Sequence, residues 1–204
     1  HAPEVSMSNS DTPITCADIP VGKTVTVKVP ASSANLGPGY DTLGVALGFY
    51  DELRVERISE GLEFELSGEG SEAVPRDETH LVIQAMHAAF ERGGLHEFPA
   101  LRLTAHNRIP HSRGMGSSAS AIVAGVAAAS GLLPEHAQLS RDQILQVASD
   151  LEGHPDNVAP SVYGSLSISW GELGNWRSLV VPVHSAVVPI VAVPDYEVST
   201  KLAR

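Results

Sequence analysis

Between Arg108 and Gly125 the chain reads RIPHSRGMGSSASAIVAG, a polar glycine–serine loop running without a break into a helix of small apolar residues. These residue types suit the binding of an anion. Gly114 and Gly116 can take positive φ and let a ligand approach the backbone closely. Ser117 and Ser118 stand where helix N-caps stand, and Arg113 adds a positive charge within the loop. A helix start offers unpaired N–H groups and the positive end of its dipole, and the two together make a phosphate site. The plainer reading is a capped helix entered through a flexible turn. Two common phosphate loops are excluded, since no Lys follows the second glycine as in G-x-x-x-x-G-K-[ST] and G-x-G-x-x-G does not match.

The elements that must position this loop follow from periodicity. Val25, Val27 and Val29 alternate with Thr24, Thr26 and Lys28, the pattern of a half-buried strand, here ending at Pro30. Ala31 to Gly44, ASSANLGPGYDTLG, reads as a turn-rich connection. Leu53 to Ile58 and Leu62 to Leu66 read as two strands joined by a hairpin-like turn at Ser59, Glu60 and Gly61. Glu78 to Arg92 has helical spacing and stops at Gly93-Gly94, and Leu101, Leu103 and Ala105 alternate as the strand that feeds the glycine–serine loop. Beyond it, Ala119, Ile122, Val123 and Val126 leave almost no polar face, so the central helix should be buried. Ser140 is a plausible N-cap for a helix through Leu151. Glu152 to Ser165 reads as a polar loop, Leu166 to Trp170 as a strand, and Ala186 to Val193 as a last apolar run. Strands and helices mix without strict alternation, which argues for an α+β fold.

Composition narrows the class. The 204 residues carry 24 acidic and 13 basic side chains, a net charge of −11, which disfavours a general nucleic-acid binder. No run of eighteen apolar residues exists, so no membrane span is expected. A single Cys16 cannot build a disulfide framework or a zinc cluster, and the nine His show no H-E-x-x-H spacing. A reducing cytoplasm is the default compartment.

Pro110, Gly114, Gly116, Ser117, Ser118, Ala119 and Ser120 match P-x-x-x-G-[LM]-G-S-S-[AG]-[AS]. In this the chain resembles the GHMP kinases, the superfamily of galactokinase, homoserine kinase, mevalonate kinase and phosphomevalonate kinase. The resemblance implies that Pro110, His111, Ser112, Arg113, Gly114, Met115, Gly116, Ser117, Ser118, Ala119 and Ser120 wrap the phosphates of ATP. VKVPASSANLGPGYDTLGVAL further resembles the N-terminal signature of the homoserine kinases, with Tyr40 where members usually have Phe. That implies a substrate-binding role for Asn35 and Asp41, which taken alone would pass for turn residues. EGHPDNVAP is similar to a third family segment. It implies that Glu152, with Ser118, holds Mg²⁺, a hard cation that takes a few protein oxygens plus phosphates and water.

By the same resemblance Asn157 is a catalytic and substrate-binding residue, where several superfamily kinases place an Asp. An amide cannot act as a general base, and Asp156 beside it fits a structural role better than that of a base. PDYEVSTKLAR is similar to the segment in which Thr200 and Arg204 would be catalytic, Arg204 also binding substrate through its planar fork of donors. His80 departs from the Asn that relatives often carry before Leu-Val, near the adenine region.

The resemblance thus implies a GHMP-kinase N-terminal α+β domain, a mixed sheet packed on helices, with the C-terminal α+β lobe absent or truncated. Residues 1–22 would be a disordered tail or expression remnant, 23–185 the ATP-binding domain and 186–204 the start of a C-terminal domain. The implied activity is ATP- and Mg²⁺-dependent phosphorylation of the L-homoserine hydroxyl in threonine biosynthesis, in the cytoplasm, with no nucleic-acid or membrane partner and room for a homodimer. Two alternatives stay open: another GHMP kinase acting on a mevalonate-like or sugar substrate, and a nucleotide-binding module without transfer activity.

Overall fold

The computed structural model describes residues 13–193. Its centre is one long strand. β1 (Thr24–Ala34) pairs antiparallel along most of β2 (Leu43–Arg57), and β2 serves two partners on its other edge. Its C-terminal half, from Glu52 to Arg57, pairs with β4 (Leu101–Asn107), whereas Leu43 to Val45 pair with β5 (Leu166–Glu172). β3 (Leu62–Gly68) flanks β4, and β6 (Asn175–Val181) flanks β5, giving a six-stranded sheet.

The helices cover one face. α1 (Leu81–Arg92), α2 (Ser117–Leu132) and α3 (Arg141–Glu152) pack with the short α4 (Val158–Tyr163) over the inward residues of β1, β2 and β4, among them Val29, Val55 and Leu103. The opposite face carries the outward set of the alternating strands, including the Arg102 ion pairs with Glu56 and Glu63 at 3.4 and 2.7 Å. As its composition predicts, α2 is buried nearly all round. Gly125 lets it approach α1, since a Cβ there would come within 2.6 Å of the Val82 carbonyl oxygen. α3 starts at the expected cap: Ser140 accepts from the Gln143 N–H, and the Gln143 side chain accepts from the Ser140 N–H.

Several expectations change. β1 does not stop at Pro30; it continues to Ala34 through a register shift between Pro30 and Ser32, an irregularity that accommodates a residue with no N–H to give. The two strands expected to form a hairpin do not pair with each other. β4 occupies the edge of β2, and β3 joins β4 in parallel after the α1 crossover. Glu152 to Ser165 contains α4, with Pro160 in its first turn, where a missing N–H costs nothing. Residues 13–22, read as part of an unstructured tail, include a bridge from Ile14 to Leu95 and the side chain of Ile19, which is 1% exposed in the core. The apolar run from 186 lies exposed with no helix or strand through residue 193. Among the described residues no helix is long and apolar enough to cross a membrane.

Candidate active site

The glycine–serine loop lies where β2 leaves β4 for β5. Ile109 and Met115, 0% and 2% exposed, pack with Ala31 and Leu47 in a small second core that pins the loop at both ends. Downstream, the Met115 carbonyl accepts from the Ser32 N–H at 3.1 Å. Upstream, the N–H groups of Arg108 and Ile109 both donate to Asp51 Oδ1, at 2.6 and 3.0 Å. Between these ties Ser112 and Gly114 take positive φ of 55° and 72°, and Gly116, just past the second tie, takes 66°.

The N-cap of α2 is Gly116, and Ser117 and Ser118 are the first two helical residues rather than caps. A side chain at position 116 has no room, because a Cβ would lie 2.3 Å from Ser32 Oγ and 2.9 Å from Asn157 Oδ1. Gly116 brings no side chain of its own to cap the start of α2, and the free N–H groups of such a helix start are what the anion reading requires.

Ser118 Oγ donates to Glu152 Oε2 at 2.8 Å. Glu152 is the last residue of α3, a turn with no basic side chain, where the helix dipole disfavours a negative charge. Two oxygens this close match an edge of an octahedron built on bonds of about 2.0–2.1 Å, so the pair fits a magnesium ion that keeps water and phosphate as its other ligands. Among the described residues no group of three or more His, Cys, Asp or Glu could hold a metal.

Asn157 precedes α4, and its Oδ1 accepts from Ser32 Oγ at 3.0 Å. Asp156 is fully buried; its Oδ1 accepts from the Asn157 N–H at 2.9 Å and meets His154 Nδ1 in a short contact. A carboxylate so enclosed does not itself line the cleft; it meets the cleft wall only through His154 and the Asn157 N–H. Asn35 Oδ1 accepts from the Asp41 N–H at 2.8 Å, and both residues have positive φ, 59° and 55°, a conformation Asn and Asp tolerate.

Two cavities flank the loop. One, of about 270 Å³, has Asn35, Ser118, Glu152, His154 and Asn157 on its wall together with residues 112–117, but not Asp41. The other, of about 310 Å³, shares Ser112, Ser117 and Ser118 with it and is otherwise mostly apolar, with Leu53, Val74 and Leu81 beside the polar Asp51, His80 and Asn107. His80 caps α1 by accepting from the Val82 N–H at 3.2 Å, and burial depresses its pKa against the opposing pull of Asp77. The pair of cavities gives a slot for a flat, largely apolar group on one side of an anion loop, and a polar cleft with amides and a carboxylate on the other.

Thr200 and Arg204 lie outside the described residues. Ser32 and Asp51 were not singled out from the sequence. Ser32 sits in a polar stretch where nothing marks one serine from the next, and Asp51 is one of three acids in its strand, with backbone partners 57 and 58 positions away.

Residues 80–165 match the family model described as GHMP kinases N terminal domain. The chain is 49% identical over 194 residues to the homoserine kinase of Corynebacterium aurimucosum, covering 92% of this chain and 62% of that one. It is 52% identical over 184 residues to the homoserine kinase of Leifsonia xyli, covering 90% and 57%. The solved homoserine kinase of Cytophaga hutchinsonii superposes with a TM-score of 0.69 at 25% identity, over 88% of this chain and 58% of that one. The chain therefore spans about three fifths of the length of these relatives.

Proposed function

We propose that the protein is a homoserine kinase of the GHMP family, moving the γ-phosphoryl group of ATP onto the side-chain hydroxyl of L-homoserine; the family match over residues 80–165 supports this. The observation that carries this reading is the meeting of Ser118, Glu152, Asn35 and Asn157 on one cleft beside the start of α2. Similarity of about half the residues to homoserine kinases supports the choice of substrate over mevalonate or a sugar.

In this reading residues 110–120 receive the triphosphate on backbone N–H groups and the positive end of α2. The adenine enters the apolar cavity near His80. Ser118 and Glu152 would hold Mg²⁺, which supplies charge neutralisation across the phosphate oxygens. Asn35, with Asp41 behind it, and Asn157 hold homoserine so that its hydroxyl lies in line with the γ-phosphorus. Arg204 and Thr200 complete that set. The hydroxyl oxygen bonds to phosphorus as the bond to the β-phosphate oxygen breaks; ADP leaves and the hydroxyl proton passes to solvent. Asn157 cannot accept that proton and Asp156 does not line the cleft, so rate enhancement comes from alignment and charge stabilisation, which a loose phosphoryl-transfer transition state allows. The same reading makes it a cytoplasmic enzyme, free or as a homodimer.

The test is ADP release by the complete gene product with magnesium–ATP, comparing L-homoserine, mevalonate and galactose. Release that depends on homoserine alone is expected. Nucleotide binding without homoserine-dependent release would overturn the substrate assignment.

A further inference from the structure

Strand β4 ends at Asn107, and its ladder with β2 ends at the pair Glu52 and His106. The next two N–H groups, of Arg108 and Ile109, have no strand to pair with. Both turn onto a single oxygen of Asp51, the residue of β2 just past the last ladder pair. Successive N–H groups aimed at one point make a small anion nest, and here the protein fills that nest with its own carboxylate.

Asp51 also lines the apolar cavity beside the loop, together with Ser112, Ser117 and Ser118. A carboxylate on the wall of a cavity that faces a polyanion site is unfavourable unless it holds something in place. Burial pushes its carboxyl pKa up, against the two N–H bonds and the nearby His111 and His106. The group is thus retained in surroundings that penalise its charge.

We propose that Asp51 is a positioning residue for the nucleotide: its double clasp on the Arg108 and Ile109 N–H groups fixes the upstream limb of the phosphate loop, so that residues 110–116 meet the triphosphate at the right depth. The proposal rests on the reading of that loop as the triphosphate site. The downstream limb has its own tie, Ser32 N–H to the Met115 carbonyl, and the buried side chains of Ile109 and Met115 keep the limbs close. Asp51 is the tie that sets where the backbone leaves the sheet. Its action passes through the loop, so it needs no contact with ATP.

Asp51→Ala removes the acceptor; Asp51→Asn keeps an acceptor oxygen and removes the charge. The readouts are equilibrium binding of a fluorescent ATP analogue and of L-homoserine to the complete gene product, and amide hydrogen exchange at Arg108 and Ile109. Asp51→Ala should weaken nucleotide binding by about tenfold to a hundredfold, the penalty of a loop displaced by about 1 Å, with homoserine binding within about twofold of the parent. Asp51→Asn should recover most of the nucleotide affinity, and both amides should exchange slowly in the parent. Equal losses for both ligands, a loss in Asp51→Asn as deep as in Asp51→Ala, or unchanged nucleotide binding in Asp51→Ala would each overturn the clasp. Should Asp51→Ala fail to fold, fast exchange at both parent amides would overturn it and slow exchange with near-parent affinity in Asp51→Asn would uphold it. A parent protein that binds no nucleotide would instead sink the reading of the loop itself.

Discussion

On the proposed reading Glu152 serves the metal site from an unfavourable place in its own helix. It closes α3 with a negative charge at the negative end of the dipole, in a turn that carries no basic residue of its own. Replacing it with Gln keeps an oxygen for Ser118 and removes the mismatch. Glu152→Gln should therefore leave stability within about 1 kcal/mol of the parent, while magnesium-dependent turnover of the complete gene product falls. Urea midpoints and ADP release read the two effects separately, and a drop in both would show that the carboxylate holds the fold rather than the metal. The glycine–serine loop itself was legible because phosphate binding needs backbone freedom and a helix start, which leave a local composition. Asp51 left no such trace: beside Glu52, and with Glu56 further along the strand, it looks like any other acid of β2 until its partners, 57 and 58 residues on, are placed.

At the scale of elements, α1 starts on a histidine. His80 is buried and accepts from the Val82 N–H through Nδ1, so the cap exists only while that nitrogen is unprotonated. Burial lowers its pKa below the usual histidine value, with Asp77 the opposing group. A folded-state pKa below the unfolded one means that the stabilisation is complete above about pH 6.5 and is lost as pH falls through the folded value. Stability should therefore decline in weak acid by a component that His80→Asn abolishes, since Asn caps at any pH. At neutral pH His80→Ala should cost about 1 kcal/mol and His80→Asn little. Thermal melts across pH 5 to 8 check this, and a parent curve parallel to that of His80→Asn would contradict it.

Elements were readable where their signals are local. The cap of α3 at Ser140 and the apolar periphery of α2 both hold. Pairing is not local: Leu62 to Leu66 announces a strand by its period, but nothing nearby says that β4 rather than β2 will receive it. α4 was hidden because Pro160 and Gly164 look like loop residues when the first-turn position of the proline is unknown.

At the scale of the molecule, the site is assembled from distant parts of the chain. Ser32 meets Asn157 across 125 residues, Ser118 meets Glu152 across 34, and Asp51 meets Arg108 across 57. Such separations make the cleft a product of the completed sheet and not of any one segment. They also explain why the sheet could be counted only roughly from the sequence, whereas the loop at its centre could be identified.

One strand with two partners on the same edge bears on how this chain can change length. The halves of β2 need not keep a common phase, because the pairing with β1 is already irregular between Ala46 and Tyr50, and around Gly48 a Cβ would meet nothing within 4 Å. An added residue there lands in slack. After Arg54 the strand is gripped by β1 and β4 at once, and one added residue would send Val55, 0% exposed, to the solvent face. An insertion after Gly48 should leave one cooperative melt within about 5 °C of the parent, the shift expected from 1–2 kcal/mol, whereas an insertion after Arg54 should yield no folded protein. Natural variation in length, on this view, would gather in the few residues of β2 where its two allegiances change over, leaving both ladders untouched.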